Sequence, residues 1–380
     1  MSPNPTWTRR NFVSNLGLTG AAAALAPHLS ASVARPVGPA KAAPTLTFVG
    51  SEQDNIQTFV VDDGNSRPAP RRAIPATAPR ALITHPTLPI LYVAHGIGIH
   101  DNLPRGSVSA YAVKANGQHT LLSHEALALS ATNPTHLAIS PDGCTLLATS
   151  PSGGSYNFFS LASDGRIQPT PYPLKQTGSG PHPLQASASP HSAVFAPSGA
   201  AYATDLGADR LNHIAFREGI PTIASRLSFD PGSGPAHLAI HPSGKFLVVA
   251  SILRPGLTVI PIDATTGQLE TPLHHLAIES QTLGPISFSP SGDRFHVVTS
   301  TGHVTLSTFR FSRATGRLKP LDATIFSTSR PTQMSLAGDQ MYAVSRSATL
   351  CFDVKTGGSI RDIQTGKQAL SIASMPLRRA

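Results

Sequence analysis

The sequence predicts an all-β fold, a seven-bladed β-propeller of four-stranded antiparallel blades, the last blade closed by both ends of the chain. Three observations predict it. A strand–turn–strand unit recurs at a spacing that suits one propeller blade. Each copy is followed by a second hairpin whose turn carries glycine. The two ends of the repeat region hold complementary fractions of one more unit.

The clearest copy is GPAHLAIHPSGKFLVVAS, from Gly234, with Pro242-Ser243-Gly244 as its turn. NPTHLAISPDGCTLLATS from Asn133, SPHSAVFAPSGAAYATD from Ser189 and LGPISFSPSGDRFHVVTS from Leu283 repeat it. APRALITHPTLPILYVA from Ala78 keeps the apolar alternation with a weaker turn, and SRPTQMSLAGDQMYAVS from Ser329 loses the turn proline. The turn positions are Pro86, Pro141, Pro197, Pro242, Pro290 and Leu336, spaced by 55, 56, 45, 48 and 46 residues. Leucine-rich and ankyrin repeats are much shorter and are excluded.

The second hairpins turn at Asn116-Gly117, Asp164-Gly165, Ala264-Thr265-Thr266-Gly267 and Arg313-Ala314-Thr315-Gly316. Glycine there supplies a positive φ without a Cβ clash. Six units are complete. TLTFVGSEQDNIQTFVVDD from Thr45 lacks a first strand, and QALSIASMP from Gln368 is a strand without a unit. Joined, they make the seventh blade and remove a free sheet edge. Counting at the ends is the least constrained step, and six or eight blades are the alternatives.

The N-terminus reads separately. Thr8-Arg9-Arg10-Asn11-Phe12-Val13 is a twin-arginine pattern, Leu16 to Leu25 is apolar, and Ser32-Val33-Ala34 offers small residues for cleavage. The expectation is a Tat-type signal over residues 1–34, a flexible linker over 35–44 and the propeller over 45–380. Its partner would be the Tat export machinery, and the protein would be periplasmic or secreted. The apolar stretch is too short for a stable membrane anchor. The competing reading is an unstructured N-terminus with a chance arginine pair.

Composition narrows the function. The formal net charge is +9, but the basic residues are scattered, so no nucleic-acid groove is expected and an anionic small ligand remains compatible. Cys144 and Cys351 form no metal spacing and are read as separate thiols, with a disulfide as the lesser alternative. The 16 histidines include no HxH or HExxH, so no metal is expected. Ser152-Gly153-Gly154-Ser155 opens no helix and reads as a blade turn, and no cofactor is expected.

The repeat register places candidates for a site. The first strand of each blade lines the channel of a propeller. Six positions before the turn stand Arg80, Thr135, His191, Ala236, Gly284 and Arg330. A histidine there can act as general base and an arginine can stabilise an oxyanion. Arg80, His191 and Arg330 are therefore the candidate catalytic residues. A water-filled polar channel would favour the same residue types, and Arg330 sits in the most degraded unit. The next register holds His136 and His237. Strand alternation assigns these to the opposite face, as packing or turn-bonding groups.

The blade sequences, with Pro190-His191, Asp205-Leu206-Gly207, Asp209-Arg210 and Gly234-Pro235, resemble the seven-bladed lactonase family of 6-phosphogluconolactonase and carboxymuconate cyclase type. The likeness spans most of residues 45–380. It implies a lactone-opening site at one end of the channel, with His191 as the family histidine and a lactone or anionic sugar derivative as ligand. Two positions depart from the family pattern. Ala236 stands where an arginine is usual, and Ile252 where a glutamate is usual. The alternative implied is a propeller that binds a small molecule or a protein without catalysis.

Overall fold

A computed structural model describes residues 44–61, 69–300, 303–327, 331–337, 340–347, 349–353, 361–362 and 368–376. The expected signal and all but the last residue of the expected linker lie outside these residues. The described residues form seven four-stranded antiparallel sheets. Blade one takes its inner strand, Ala369–Pro376, from the C-terminal part of the chain and its other three, Thr45–Ser51, Asn55–Val61 and Ala69–Pro75, from the N-terminal part. Thr45 pairs with Pro376 and Val49 with Ile372, which is the expected closure.

Blades two to seven each run outward in chain order from an inner strand. These inner strands are Pro79–Thr84, His136–Ile139, Pro190–Phe195, Pro235–Ile240, Thr282–Phe288 and Gln333–Ala337. Successive inner strands are neighbours, and that of blade one touches both Gln333–Ala337 and Pro79–Thr84, so the ring is complete. The described helix is one 3₁₀ turn, Pro183–Gln185. Among the described residues no helix is long and apolar enough to cross a membrane.

The alternating strands explain the core. Each sheet presents an apolar face to each neighbour, and seven buried clusters fill the seven interfaces. Phe48 seals blades one and two, and Phe295 seals blades five and six. Each such ring contributes about 2–3 kcal/mol by leaving water.

Buried tyrosines pin blade to blade. Tyr92 donates to the Gly165 carbonyl at 2.9 Å, Tyr156 to Thr204 at 2.9 Å and Tyr202 to Gly267 at 2.6 Å. Gly165 has φ +80°, and a Cβ there would lie 2.0 Å from Ile90 Cδ1. The turn that reads as Asp-Gly in sequence thus needs glycine twice, for its backbone and for its neighbour. Cys144 is exposed, Cys351 is buried, and no disulfide joins them.

Candidate functional site

The inner strands of all seven blades line a central channel of about 520 Å³. Its middle is largely apolar, with Leu82, Leu137, Val194, Phe195, Leu238, Ile286 and Leu336. Polar side chains gather instead at one mouth, in a cavity of about 490 Å³ lined by Arg80, Thr135, His136, His191, Ser192, His237, Thr332 and Gln333. The channel itself also carries the hydroxyls of Thr84, Ser287, Ser289, Ser335 and Ser374. The mouth differs in gathering Arg80, His191 and His237.

Two of the candidate residues share this cavity. Arg80 and His191, which are 111 residues apart in sequence, line the same cavity. Arg330 lies outside the described residues, although its neighbours Pro331 and Thr332 line the mouth.

The expectation for His136 and His237 is corrected. Both line the mouth beside His191. For His237 strict alternation fails because the inner strand of blade five bulges between Pro235 and His237. The inner strands of blades two, four and six also bulge, between Pro79 and Ala81, Pro190 and Ala193, and Leu283 and Ile286. His136 instead opens its strand. An extra residue in one strand shifts which side chains share a face. Proline at Pro79, Pro190 and Pro235 has no N–H to give the ladder, which is the signal that sequence reasoning missed.

The bulge also explains Ala236. It is fully buried and turns its carbonyl toward blade four. That oxygen accepts from Ser192 Oγ at 2.5 Å, Thr204 Oγ1 at 2.8 Å and His191 Nδ1 at 3.1 Å. A carbonyl can only accept, so His191 carries a proton on Nδ1. In the neutral ring Nε2 is then the basic nitrogen. His237 meets His191 edge to face, with ring centroids 5.1 Å apart.

His136 has the opposite arrangement. The Ala193 N–H donates to its Nδ1 at 3.4 Å, which leaves the proton of the neutral ring on Nε2. Burial, and then the nearby His191, push its pKa down to about 4. The mouth thus offers the His191 imidazole with its Nδ1 tied to a carbonyl, a neutral donor imidazole at His136 and the Arg80 guanidinium. No aspartate or glutamate is among its described lining residues. The site suits an electron-rich oxygen or an anion.

Arg80 is placed by glycine. A Cβ on Gly96 would lie 2.0 Å from Arg80 Cγ, so the arginine stem occupies space that only glycine leaves. Beyond it the same guanidinium borders a second cavity with Glu52 and Asp54.

The other motif residues prove to be scaffolding. Asp205 Oδ1 accepts the N–H groups of Ser189 and Ala208, which fixes the chain just before Pro190-His191. Asp209, at φ +50°, accepts from Gln185 Nε2, Gly232 N and Gly234 N at 2.7–2.8 Å. Asp209 and Gly234 are thus one hydrogen-bonded knot behind the histidines. Ile252 packs against the apolar cluster of blades five and six and does not line the mouth.

The fold is a seven-bladed β-propeller whose inner strands bring polar groups of several blades to one mouth. The chain belongs to the lactonase family of seven-bladed β-propellers, whose pattern matches residues 45–364. It is related to the 6-phosphogluconolactonase of Bacillus subtilis strain 168, with 25% identity over 348 residues, 87% of this chain and 94% of that one. Its fold is that of a periplasmic gluconolactonase from Pseudomonas aeruginosa, with TM-score 0.76, 22% identity, and coverage of 87% and 99%. A Lactobacillus plantarum protein has the same fold, with TM-score 0.75, 19% identity, and coverage of 88% and 99%.

Proposed function

We propose that the protein hydrolyses a lactone, of a sugar or an anionic sugar derivative, at the His191 end of the channel. The observation that carries this is the Nδ1 contact of His191 with the Ala236 carbonyl, in a cavity that also holds Arg80. It makes Nε2 a base aimed by the backbone.

The steps follow from that geometry. Water attacks the lactone carbonyl carbon as His191 Nε2 takes its proton. The oxygen–carbon bond forms, and the carbonyl oxygen becomes an oxyanion that the Arg80 guanidinium stabilises. Collapse breaks the ring carbon–oxygen bond, and the imidazolium returns its proton to the leaving alkoxide. The product acid then loses a proton to solvent. His136, with its Nε2 proton, serves as a further donor to a ligand oxygen.

Export through the twin-arginine pathway is part of the same proposal. It is supported by the N-terminal pattern around Arg9 and Arg10 and by the periplasmic description of the Pseudomonas aeruginosa gluconolactonase. A compartment outside the cytoplasm favours an unphosphorylated sugar lactone as substrate.

A second reading has its own support. Ala236 and Ile252 stand where the family resemblance implies an arginine and a glutamate, and no carboxylate lines the mouth among the described residues. On that reading the propeller binds its ligand and does not turn it over. A pH-stat or hydroxamate assay over a panel of lactones separates the two. Turnover that falls by about two to four orders of magnitude in His191→Ala supports hydrolysis. No turnover above background across the panel supports binding alone.

A further inference from the structure

Blade two carries a second cluster of imidazoles, on residues that do not line the mouth. His95, His124 and His100 form a column, with ring centroids 5.0 and 4.9 Å apart and planes inclined by 20° and 22°. His95 is buried on the second strand of the blade, Ile90–His95. His124 is on the outer strand, His119–Ala126, and His100 is in the loop between the second and third strands.

A hydrogen-bond chain fixes their protons. His95 Nδ1 faces the Thr77 carbonyl at 2.6 Å and must donate to it. In the neutral ring His95 Nε2 then accepts from Ser109 Oγ at 2.8 Å. Ser109 Oγ, having given its proton, accepts from His124 Nδ1 at 3.0 Å. His124 therefore has its Nδ1 occupied and a histidine ring stacked on either side. What it presents outward is its Nε2 edge, with a lone pair.

That edge borders a cavity of about 510 Å³ between the outer parts of blades two and three. The cavity shares no lining residue with the mouth. Arg105 enters it with a buried Nε that has no hydrogen-bond partner, while its Nη2 reaches Asp101 at 3.5 Å. Asp101 and Glu125 add carboxyl groups, and burial raises the Glu125 pKa. Leu129, 65% exposed, and Pro171 supply apolar surface.

This mixture selects a ligand by exclusion. An anion meets Asp101 and Glu125, and a cation meets Arg105. Among the described residues no group of three His, Cys, Asp or Glu is set to hold a metal. A neutral ring bearing several hydroxyls satisfies all of the groups. Its hydroxyls donate to His124 Nε2 and the carboxylates and accept from Arg105, and its C–H face covers Leu129 and Pro171. The volume is that of an ordinary small-molecule site. We propose that this cavity is a second binding site for a neutral pyranose, as a free sugar or as the end of a glycan. The proposal does not depend on lactone chemistry at the mouth.

The test is histidine side-chain NMR on the full chain, with the His124 resonance assigned from His124→Gln. Methyl β-D-glucopyranoside and cellotriose are the neutral probes, gluconate the anion and glucosamine the cation. The expected result is a saturable His124 shift with one or both neutral probes at millimolar concentration, and a weaker response to the charged ones. Which neutral probe binds tells free sugar from glycan end. The shift should survive His191→Ala and weaken at least several-fold in Arg105→Gln and in Leu129→Glu, each checked for an unchanged spectrum elsewhere. No His124 shift with either neutral probe overturns the proposal. So does a shift lost in His191→Ala, or one that gluconate or glucosamine matches.

Discussion

Thr204, on the second strand of blade four, donates across the blade boundary to the carbonyl of Ala236 at 2.8 Å, the oxygen that also holds His191. The hydroxyl is fully buried, and it further accepts the Ser192 N–H at 3.2 Å. It touches no ligand, but it aims the group that aims the base.

Thr204→Val should therefore act on turnover before binding. The expected result with a lactone substrate is a fall in kcat of about tenfold with KM nearly constant, in line with outer-shell partners generally. Thr204→Ser should recover most of it. Equal kcat in wild type and Thr204→Val would remove the carbonyl contact from the mechanism.

Gly96→Ala tests Arg80 without touching it. The new methyl cannot coexist with the Arg80 stem, so the guanidinium must move. Lactone turnover should drop by about tenfold or more, as for a lost oxyanion partner, while the urea midpoint changes little. If turnover is untouched while a crystal structure shows a displaced Arg80, that residue has no part in the reaction.

Asp209→Ala should unfold the protein more easily. The N–H groups of Gly232 and Gly234 would lose their acceptor in a buried place, and Gln185 Nε2 would keep only the Leu206 carbonyl. The expected cost is on the order of 3 kcal/mol or more. Asp209→Asn, which keeps an acceptor oxygen, should fall between. Chemical denaturation of the three proteins decides it, and an unchanged midpoint in Asp209→Ala would refute the knot.

Acid should destabilise the fold well above carboxylate titration. Burial, as the largest cause, holds His95, His136 and His296 down to about 4. In the unfolded chain they titrate near 6.5. Between those values the unfolded state binds more protons, so stability is full above about pH 7 and drains as pH falls toward 4. Each group accounts for at most about 3 kcal/mol, and less for His136, which is only partly buried. Urea midpoints at pH 7.5, 6 and 5 should decline in order. A flat series would contradict the buried neutral histidines.

The blades were legible because their signals are local. Pro242-Ser243-Gly244 and Asp164-Gly165 dictate turns from their own dihedral limits, wherever they occur. The closure was legible because Thr45–Ser51 and Ala369–Pro376 each lacked what the other offered. The candidate site was read from strand register alone. His191 and Arg80 line one cavity, but His136 and His237, assigned to the opposite face, line it too. A bulge is a backbone event, and strand alternation carries no trace of it beyond the prolines at its edge. The column of His95, His124 and His100 was not foreseen at all. It depends on the pairing of Ser109 with His124 across strands and on a loop folding back over them.

The way the ring shuts has a bearing on biosynthesis. Thr47 meets Ser374 across 327 residues of chain. At about 5–20 residues per second, a ribosome needs on the order of 20–60 s to make that interval. Throughout it, Thr45–Ser51 has an open edge that its own inner strand does not yet exist to cover. The period in which aggregation competes with native assembly is thus set by translation speed, and no acceleration of folding within the later sheets can shorten it.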